Sequence, residues 1–500
     1  MDNGQLGLKR ERFGLKKGKD FSGMINLASL VTGAVIGMRQ IRPPHLDVDS
    51  PYFPAYKRMM SNIARLATEP HPSGSEAIRT VQAELLTEIT DMGLQPIVED
   101  ASLELEEYTE VITSRFRSSK EVWWEKNREK IASDHDIHSF SEYFHFRFHD
   151  VGADSLQNIM VKLQGVDANR GVLFVSHYDS VNTAPGAADD MLAVCAMLEA
   201  LRAHAHSESL ANDLYFLFTD GEERGLLGVY KFVEMHPELK DKIDMVINLE
   251  MRGNRGGFLL FETSPKAYQQ LKTVVKAGVK PIGFSFAATI YGMMTNNTDF
   301  SMFRNAGYKG INFAVIEGVE HYHKATDSIE NLNPDSAWQH LLTVLKLADY
   351  FAANPAEEAV DPPAEAVFFP FSPGKMVLIK QGVSQSIAAA IGAASLLYGA
   401  VHLKQKKLVI SASSLCMSLM LMLTSASSKW MPSASYLFYS PLLALLLSSL
   451  TSKWKTLQRA IRSLAIIAVS MLWVPFAFLV SVALLQPSVL KFLAKYKILQ

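Results

Sequence analysis

The sequence predicts an α/β domain built on a mixed, mostly parallel sheet flanked by helices, followed by C-terminal all-α transmembrane segments. Three observations predict it. Short apolar runs alternate with helical stretches from Gln157 to Ala353. Ligand-type polar residues stand at the ends of several of those runs. Of the 500 residues 48% are hydrophobic, and the apolar ones concentrate after residue 380.

Residues 54–68 and 77–92 carry apolar positions at helical spacing. The turn-rich link Glu69-Pro70-His71-Pro72-Ser73-Gly74 joins them. Residues 100–150 are polar and aromatic with mixed charge, an irregular insertion with a strand or two. Its histidines, His135, His138, His145 and His149, are read as surface or core residues rather than ligands. Strands are expected at Asn158–Leu163, Gly171–Ser176, Asp213–Phe218, Met245–Leu249, Gly257–Glu262 and Gly310–Val315. Helices are expected at Met191–Ala203, Leu226–Met235, Pro265–Ala277 and Ser336–Ala353. Short apolar strands between helices mean a sheet covered on both faces. No internal repeat is present.

Four apolar stretches follow, Gly382–Leu403, Leu408–Ser425, Tyr436–Leu450 and Leu464–Leu485. Each is near the ~20 residues that a helix needs to cross a bilayer. Phe21–Met38 is a fifth candidate, an uncleaved anchor weakened by Asn26, Ser29 and Thr32. Basic residues cluster before it, from Lys9 to Lys19, again at Lys404, Lys406 and Lys407, and at Lys453, Lys455, Arg459 and Arg462. Basic loops face the cytosol, so a five-span chain would hold residues 40–380 on the lumenal or extracytoplasmic side. The basic tail Lys491–Gln500 would then lie outside, a mild conflict with that layout. The implied organisation is a basic cytosolic tail (1–20), a candidate anchor (21–38), the α/β domain (50–355), a linker (356–380), four transmembrane helices (381–486) and a basic tail (487–500).

A net charge of -2 gives no sign of nucleic-acid binding. Two cysteines, Cys195 in the α/β part and Cys416 in an apolar segment, argue against a disulfide framework, and their number excludes a cysteine-type structural zinc site. A metal would have to be held by histidines and carboxylates.

In sheets of this kind, ligands gather at the carboxyl ends of the strands. The run Val172–Ser176 leads into His177-Tyr178-Asp179, and Leu214–Thr219 into Asp220-Gly221-Glu222-Glu223. Met245–Leu249 leads into Glu250, and Ile311–Val315 towards His321-Tyr322-His323, while Asp189-Asp190 stands just before a helix. His177, Asp189, Glu223, Glu250 and His323 thus converge on one rim. Two imidazoles and three carboxylates suit one zinc or a pair. Burying those acids without cations would cost several kcal/mol per uncompensated charge. Each residue alone has a bland explanation, an N-cap for Asp189-Asp190 or a solvated helix start for Glu222-Glu223. Four strand ends carrying such residues together do not. Arg252 and Arg255 could pair with a substrate carboxylate or with neighbouring acids. Asn297–Phe300 reads as a loop near the pocket.

The motifs His177-Tyr-Asp179, Gly186-Ala-Ala-Asp189-Asp190, Asp220-Gly-Glu222-Glu223-Arg-Gly-Leu-Leu-Gly228, Asn248-Leu-Glu250 and Tyr322-His323 resemble the M28 family of zinc aminopeptidases and carboxypeptidases. With the apolar segments, the chain is most similar to its endoplasmic reticulum and vacuolar membrane branch. The resemblance covers roughly residues 50–355. It implies two zinc ions bridged by Asp189, one completed by His177 and Glu250, the other by Glu223 and His323. It also implies Glu222 as general base, Tyr322 as oxyanion donor, Asp179 orienting His177, and a cis Asp189–Asp190 peptide. Many members have Asp where this chain has Glu250, and the membrane branch resembles this chain in using Glu. His323 is preferred to His321 because it directly follows Tyr322. The implied activity is a membrane-anchored exopeptidase, probing an amino end of a peptide substrate, in the endoplasmic reticulum, vacuole or cell surface. The alternatives are a glutaminyl cyclase-like acyltransferase with one zinc and a non-catalytic membrane scaffold. A transporter is disfavoured, because the apolar stretches carry almost no charges.

Overall fold

The computed structural model describes residues 19–111, 140–291, 297–355, 363–372 and 374–387, with a few isolated positions beyond. Helices α1 (Lys19–Gln40), α2 (Phe53–Leu66) and α3 (Glu76–Asp91) lead to strand β1 (Ile97–Asp100). α2 starts on a proline in its first turn and buries Tyr56, Met59, Ile63 and Leu66 along one stripe. α3 starts where Ser75 accepts the Ile78 amide at 3.2 Å, an N-cap. Helix α4 (Phe140–Asp150) and strand β2 (Gln157–Leu163) follow.

From there strands and helices alternate: β3 (Gly165–His177), α5 (Met191–His204), β4 (Leu210–Thr219), α6 (Leu227–Met235), β5 (Ile243–Met251), β6 (Arg255–Thr263), α7 (Tyr268–Lys276), β7 (Ile282–Gly283), α8 (Ser285–Tyr291), α9 (Asp299–Asn305), β8 (Gly310–Glu317) and α10 (Pro334–Ala353). The sheet order is β1-β2-β4-β3-β5-β8-β6-β7. The central pairs β4–β3, β3–β5 and β5–β8 are parallel, and β1–β2, β2–β4 and β8–β6 are antiparallel. The carboxyl ends of β3, β4, β5 and β8 therefore share one edge.

Alternate residues of each central strand enter opposite cores. Val172, Phe174, Phe216 and Ile247 face the helices α2, α3, α5 and α10. Leu173, Val175, Leu217 and Val246 face α6 and α9. Both sets are buried, so these strands read as unbroken apolar runs. Phe174 and Phe216 stack at 5.1 Å across the parallel pair. Burying each such ring contributes about 2–3 kcal/mol, so this layer is what fixes the sheet edge that carries the polar residues.

The structure departs from the expectations in four places. The helix expected from Pro265 begins at Tyr268, because the Tyr268 amide is taken by the Ala364 carbonyl at 3.1 Å and Lys266 turns into the left-handed region at φ 60°. The stretch read as a loop at Asn297–Phe300 holds the start of α9, where Thr298 and Ser301 form a reciprocal capping box. The 100–150 insertion contains α4, and residues 112–139, with His135 and His138, lie outside the described residues. Within the span read as a linker, β9 (Ala366–Ser372) and β10 (Lys375–Lys380) pair as an antiparallel hairpin. Pro370 sits in β9 without breaking a central ladder, because both strands of a two-stranded sheet are edges.

The four apolar stretches expected after residue 380 lie almost wholly outside the described residues, as does Cys416. α1 covers the candidate anchor 21–38. Among the described residues, no helix is long and apolar enough to cross a membrane.

Candidate metal centre

The shared carboxyl edge collects the polar residues. His177 is the last residue of β3 and pairs in register with Thr219 at the end of β4. Glu250 stands one residue before the end of β5, level with Ala314 of β8. β4 passes through Asp220 and Gly221, φ 77°, into Glu222 and Glu223. Asp189 precedes α5 across a cis peptide to Asp190. After β8 a short 3-10 turn, Val319–His321, delivers Tyr322 and His323, with His323 at φ 56°. A non-glycine residue in that region is held there by its surroundings at a cost of roughly 1–3 kcal/mol.

The donors meet in two groups that share Asp189. One is His177, Asp189 and Glu250, and the other is Asp189, Glu223 and His323. The donor atoms of each lie within 4.8 Å of one another. A third grouping, His177 with Glu222 and Glu223, overlaps the first two. The Nε2 of His177 stands 3.4 Å from Asp189 Oδ1, and the Nε2 of His323 stands 3.4 Å from Asp189 Oδ2. His323 Nε2 also approaches Glu223 Oε1 to 2.8 Å, but without hydrogen-bond geometry, so the Nε2 atoms of His177 and His323 are buried beside carboxylates and make no hydrogen bond. His321 is in none of these groups.

A carboxylate scaffold stands behind the donors. Asp179 is fully buried; its two oxygens accept the amides of Glu222 at 3.1 Å and Glu223 at 3.2 Å. His177 Nδ1 lies 2.9 Å from the Asp179 carbonyl and 3.4 Å from its carboxylate. Ser73, in the turn that the sequence shows only as a link, donates to Asp220 at 2.6 Å. Asp327 holds the opposite wall. Its carboxylate accepts the amides of Ala188 at 2.9 Å and Asp189 at 3.2 Å, and its carbonyl accepts that of Ala187. Sequence reasoning missed Ser73 and Asp327; the only signal for Asp327 was its place four residues after His323.

Burial drives the electrostatics. It pushes the carboxyls of Glu222 and Glu250 well above the usual range, with Glu250 adding to the effect on Glu222. Burial, then Asp189, raises Glu223 to about 6 and Asp327 to about 7. Burial opposes charge on His323, but Asp189 and Glu223 overcome it and raise the imidazole to about 10. Among the described residues, no lysine or arginine forms an ion pair with Asp189, Glu222, Glu223 or Glu250. A crowd of buried acids that faces only two imidazoles, with no lysine or arginine among its ion pairs, is unfavourable by itself. Metal cations remove that cost, and a donor set of imidazole and carboxylate fits zinc. The residues present therefore fit the metal that the sequence implies.

Tyr322 stacks on His323 at 3.6 Å, and the Arg252 guanidinium lies 4.9 Å from the Tyr322 ring centre. Burial, then Glu223, raises the Tyr322 phenol well above its ordinary value, so it stays a proton donor. Arg255 pairs with Glu320 at 2.7 Å and so takes the neighbouring-acid alternative. His149 pairs with Asp154 at 2.8 Å, and His145 packs edge-on against His149, as surface residues do. Cys195 is buried within α5, where burial raises its thiol.

Residues 158–348 match the family described as Peptidase family M28. The chain is 35% identical over 201 residues to endoplasmic reticulum metallopeptidase 1 of Homo sapiens, covering 39% of this chain and 22% of that protein. It is 34% identical over 215 residues to the vacuolar membrane protease of Eremothecium gossypii, covering 42% of this chain and 21% of that protein. The match thus spans about a fifth of the length of the curated relatives. Among solved structures, an aminopeptidase from Aneurinibacillus sp. strain AM-1 superposes with a TM-score of 0.42 at 15% identity, covering 61% of this chain and 96% of that one.

Proposed function

We propose that the chain, whose residues 158–348 match peptidase family M28, is a co-catalytic dizinc exopeptidase, acting at the amino end of peptides and anchored in a membrane. The observation that carries the two-metal reading is the sharing of Asp189 between two donor groups. His177, Asp189 and Glu250 would hold one zinc; Asp189, Glu223 and His323 would hold the other. A one-zinc cyclase would leave one of those groups without purpose, so the acyltransferase reading is less well supported. The membrane reading rests on the apolar stretches after residue 380 and on relatives named for the endoplasmic reticulum and the vacuolar membrane.

Zinc bound there would supply Lewis-acid polarisation of the scissile carbonyl and acidify the attacking water. The protein's own residues do the rest. Glu222, whose burial raises its proton affinity, takes the water's proton and returns it to the leaving amine. Asp179 fixes the turn that aims Glu222 and Glu223 in different directions, one to the proton and one to the metal. Tyr322 donates its phenolic hydrogen to the developing oxyanion. Arg252 lies beside that phenol and favours negative charge in the same space.

Elemental analysis together with hydrolysis of a panel of aminoacyl and dipeptide substrates tests this, for the wild type and Glu222→Gln. Two zinc ions in both proteins are expected, with activity roughly 10²–10⁴-fold lower in the variant. Absence of zinc from the purified wild type would refute the reading.

A further inference from the structure

The link between α2 and α3 reaches the metal edge from outside the matched span 158–348. Pro70 and Pro72 restrict its backbone. The Ser75 amide donates to the Pro72 carbonyl at 3.1 Å and Gly74 stands at φ 77°, a tight turn with glycine in its third place. Gly74 lies so close to Gly152 that a Cβ added to it would stand 2.8 Å from the Gly152 Cα. The turn is thus fixed on both sides, and it carries the buried Ser73 side chain to the ends of β3 and β4.

Two bonds clamp the link just upstream. The His71 amide donates to Ser180 Oγ at 2.9 Å, and the Ser180 amide donates to the His71 carbonyl at 3.3 Å. Ser180 directly follows Asp179. Ser73 Oγ then lies 2.6 Å from Asp220 Oδ1 and 3.4 Å from Asp179 Oδ2. Both carboxylates are buried, and among the described residues neither forms an ion pair with a lysine or an arginine. Two like charges repel strongly in such a place, and one hydroxyl stands between them. The Asp179 oxygen that faces Ser73 is also the one that accepts the Glu223 amide, while its other oxygen accepts the Glu222 amide. A displaced Asp179 carboxylate would therefore carry both glutamates with it.

We propose that Ser73 is a positioning residue for the catalytic turn: its hydroxyl spaces Asp220 from Asp179 and so holds the Asp179 carboxylate where it aims Glu222 and Glu223. The proposal rests on the peptidase reading for what the turn does, not for how it is held. The Ser73 hydroxyl bonds to Asp179 and Asp220 rather than to a metal donor, so it acts through Asp179. The α2–α3 link is then part of the framework of the active site, although it lies some 80 residues before the matched span begins.

Chelator competition for zinc and steady-state hydrolysis of the aminoacyl panel test this on the detergent-solubilised full chain. Ser73→Ala is expected to lower kcat about 10–100-fold and zinc affinity about tenfold, with KM essentially unchanged. Ser73→Thr keeps the hydroxyl and is expected to restore both to near the wild-type level. The losses of Ser73→Ala and Asp220→Asn should not multiply in the double variant, because both act on Asp179. Ser73→Cys keeps the packing and offers a weaker donor, so a several-fold loss in it carries the test if Ser73→Ala does not fold. Wild-type kcat and zinc affinity in Ser73→Ala or Ser73→Cys overturn the proposal. So do losses that multiply, or a Ser73→Thr as impaired as Ser73→Ala. If the wild type hydrolyses nothing in the panel, the peptidase reading fails while the zinc affinities still decide the role of Ser73. A wild type that binds no zinc overturns both.

Discussion

Replacing Asp179 by Asn changes one atom of a fully buried side chain and tests how the catalytic turn is held. Both carboxylate oxygens of Asp179 accept backbone amides, from Glu222 at 3.1 Å and Glu223 at 3.2 Å. An Asn side chain has one acceptor and one amino group. Whichever way it is flipped, its amino group faces an amide hydrogen. One hydrogen bond to a charged acceptor is lost, worth about 1.5–3 kcal/mol, and one buried donor is left without a partner. The expected loss of stability is roughly 2–4 kcal/mol. The turn also aims the proposed base and one proposed ligand, so zinc affinity should fall about 10–100-fold. Urea denaturation of the chelated protein reads the first effect separately from the metal. Competition with a zinc chelator reads the second. A variant with unchanged stability and unchanged zinc affinity would show that these two amide bonds do not position the turn.

Three other perturbations follow from the same geometry. Chelation should lower the thermal midpoint and zinc should restore it, by about 4 kcal/mol at a thousandfold excess over the dissociation constant; an unchanged midpoint would mean that the buried acids are balanced without metal. In Gly228→Ala the new methyl carbon would stand 2.1 Å from the Asp220 carbonyl oxygen and 2.5 Å from Asn158 Oδ1, so the start of α6 must shift; a stability loss of about 1–3 kcal/mol is expected by calorimetry. His340, fully buried with Phe258 stacked 4.0 Å away, has its imidazole lowered to about 3 by burial. Its folded value lies below its unfolded one, so the unfolded chain binds the extra proton. The stability is fully present above about pH 6.5 and declines as pH falls towards 3, by roughly 2–5 kcal/mol in all. His340→Leu should flatten the denaturation midpoint over that window; an equally steep profile would assign the pH dependence to other groups.

The central strands were legible because burial on both faces leaves Val172–Val175 and Leu214–Phe218 as unbroken apolar runs. His177 and Glu250 were legible for the same reason, since each ends such a run. The choice between His321 and His323 rested on the neighbouring tyrosine, and the structure brings His323 to Asp189 while His321 stays outside the donor groups. Ser73 and Asp327 were not legible. Their partners lie 147 and 139 residues away, and no local period marks such a contact. β1, β7 and the β9–β10 hairpin were missed because four-residue and two-residue strands, and a strand containing Pro370, carry too little alternation to register.

The position of β8 has a consequence for how the chain is made. It lies between β5 and β6, yet it leaves the ribosome after both. Until about residue 317 has emerged, β5 keeps an open edge and β6 has no neighbour on that side to pair with. The strand that closes this gap also leads directly into His323. Nascent chains therefore finish the sheet and gain the last of the two imidazoles in a single late event. A stalled or truncated product that ends before Gly310 exposes a strand edge and lacks His323, so it holds only the group His177, Asp189 and Glu250 and not the second one that shares Asp189.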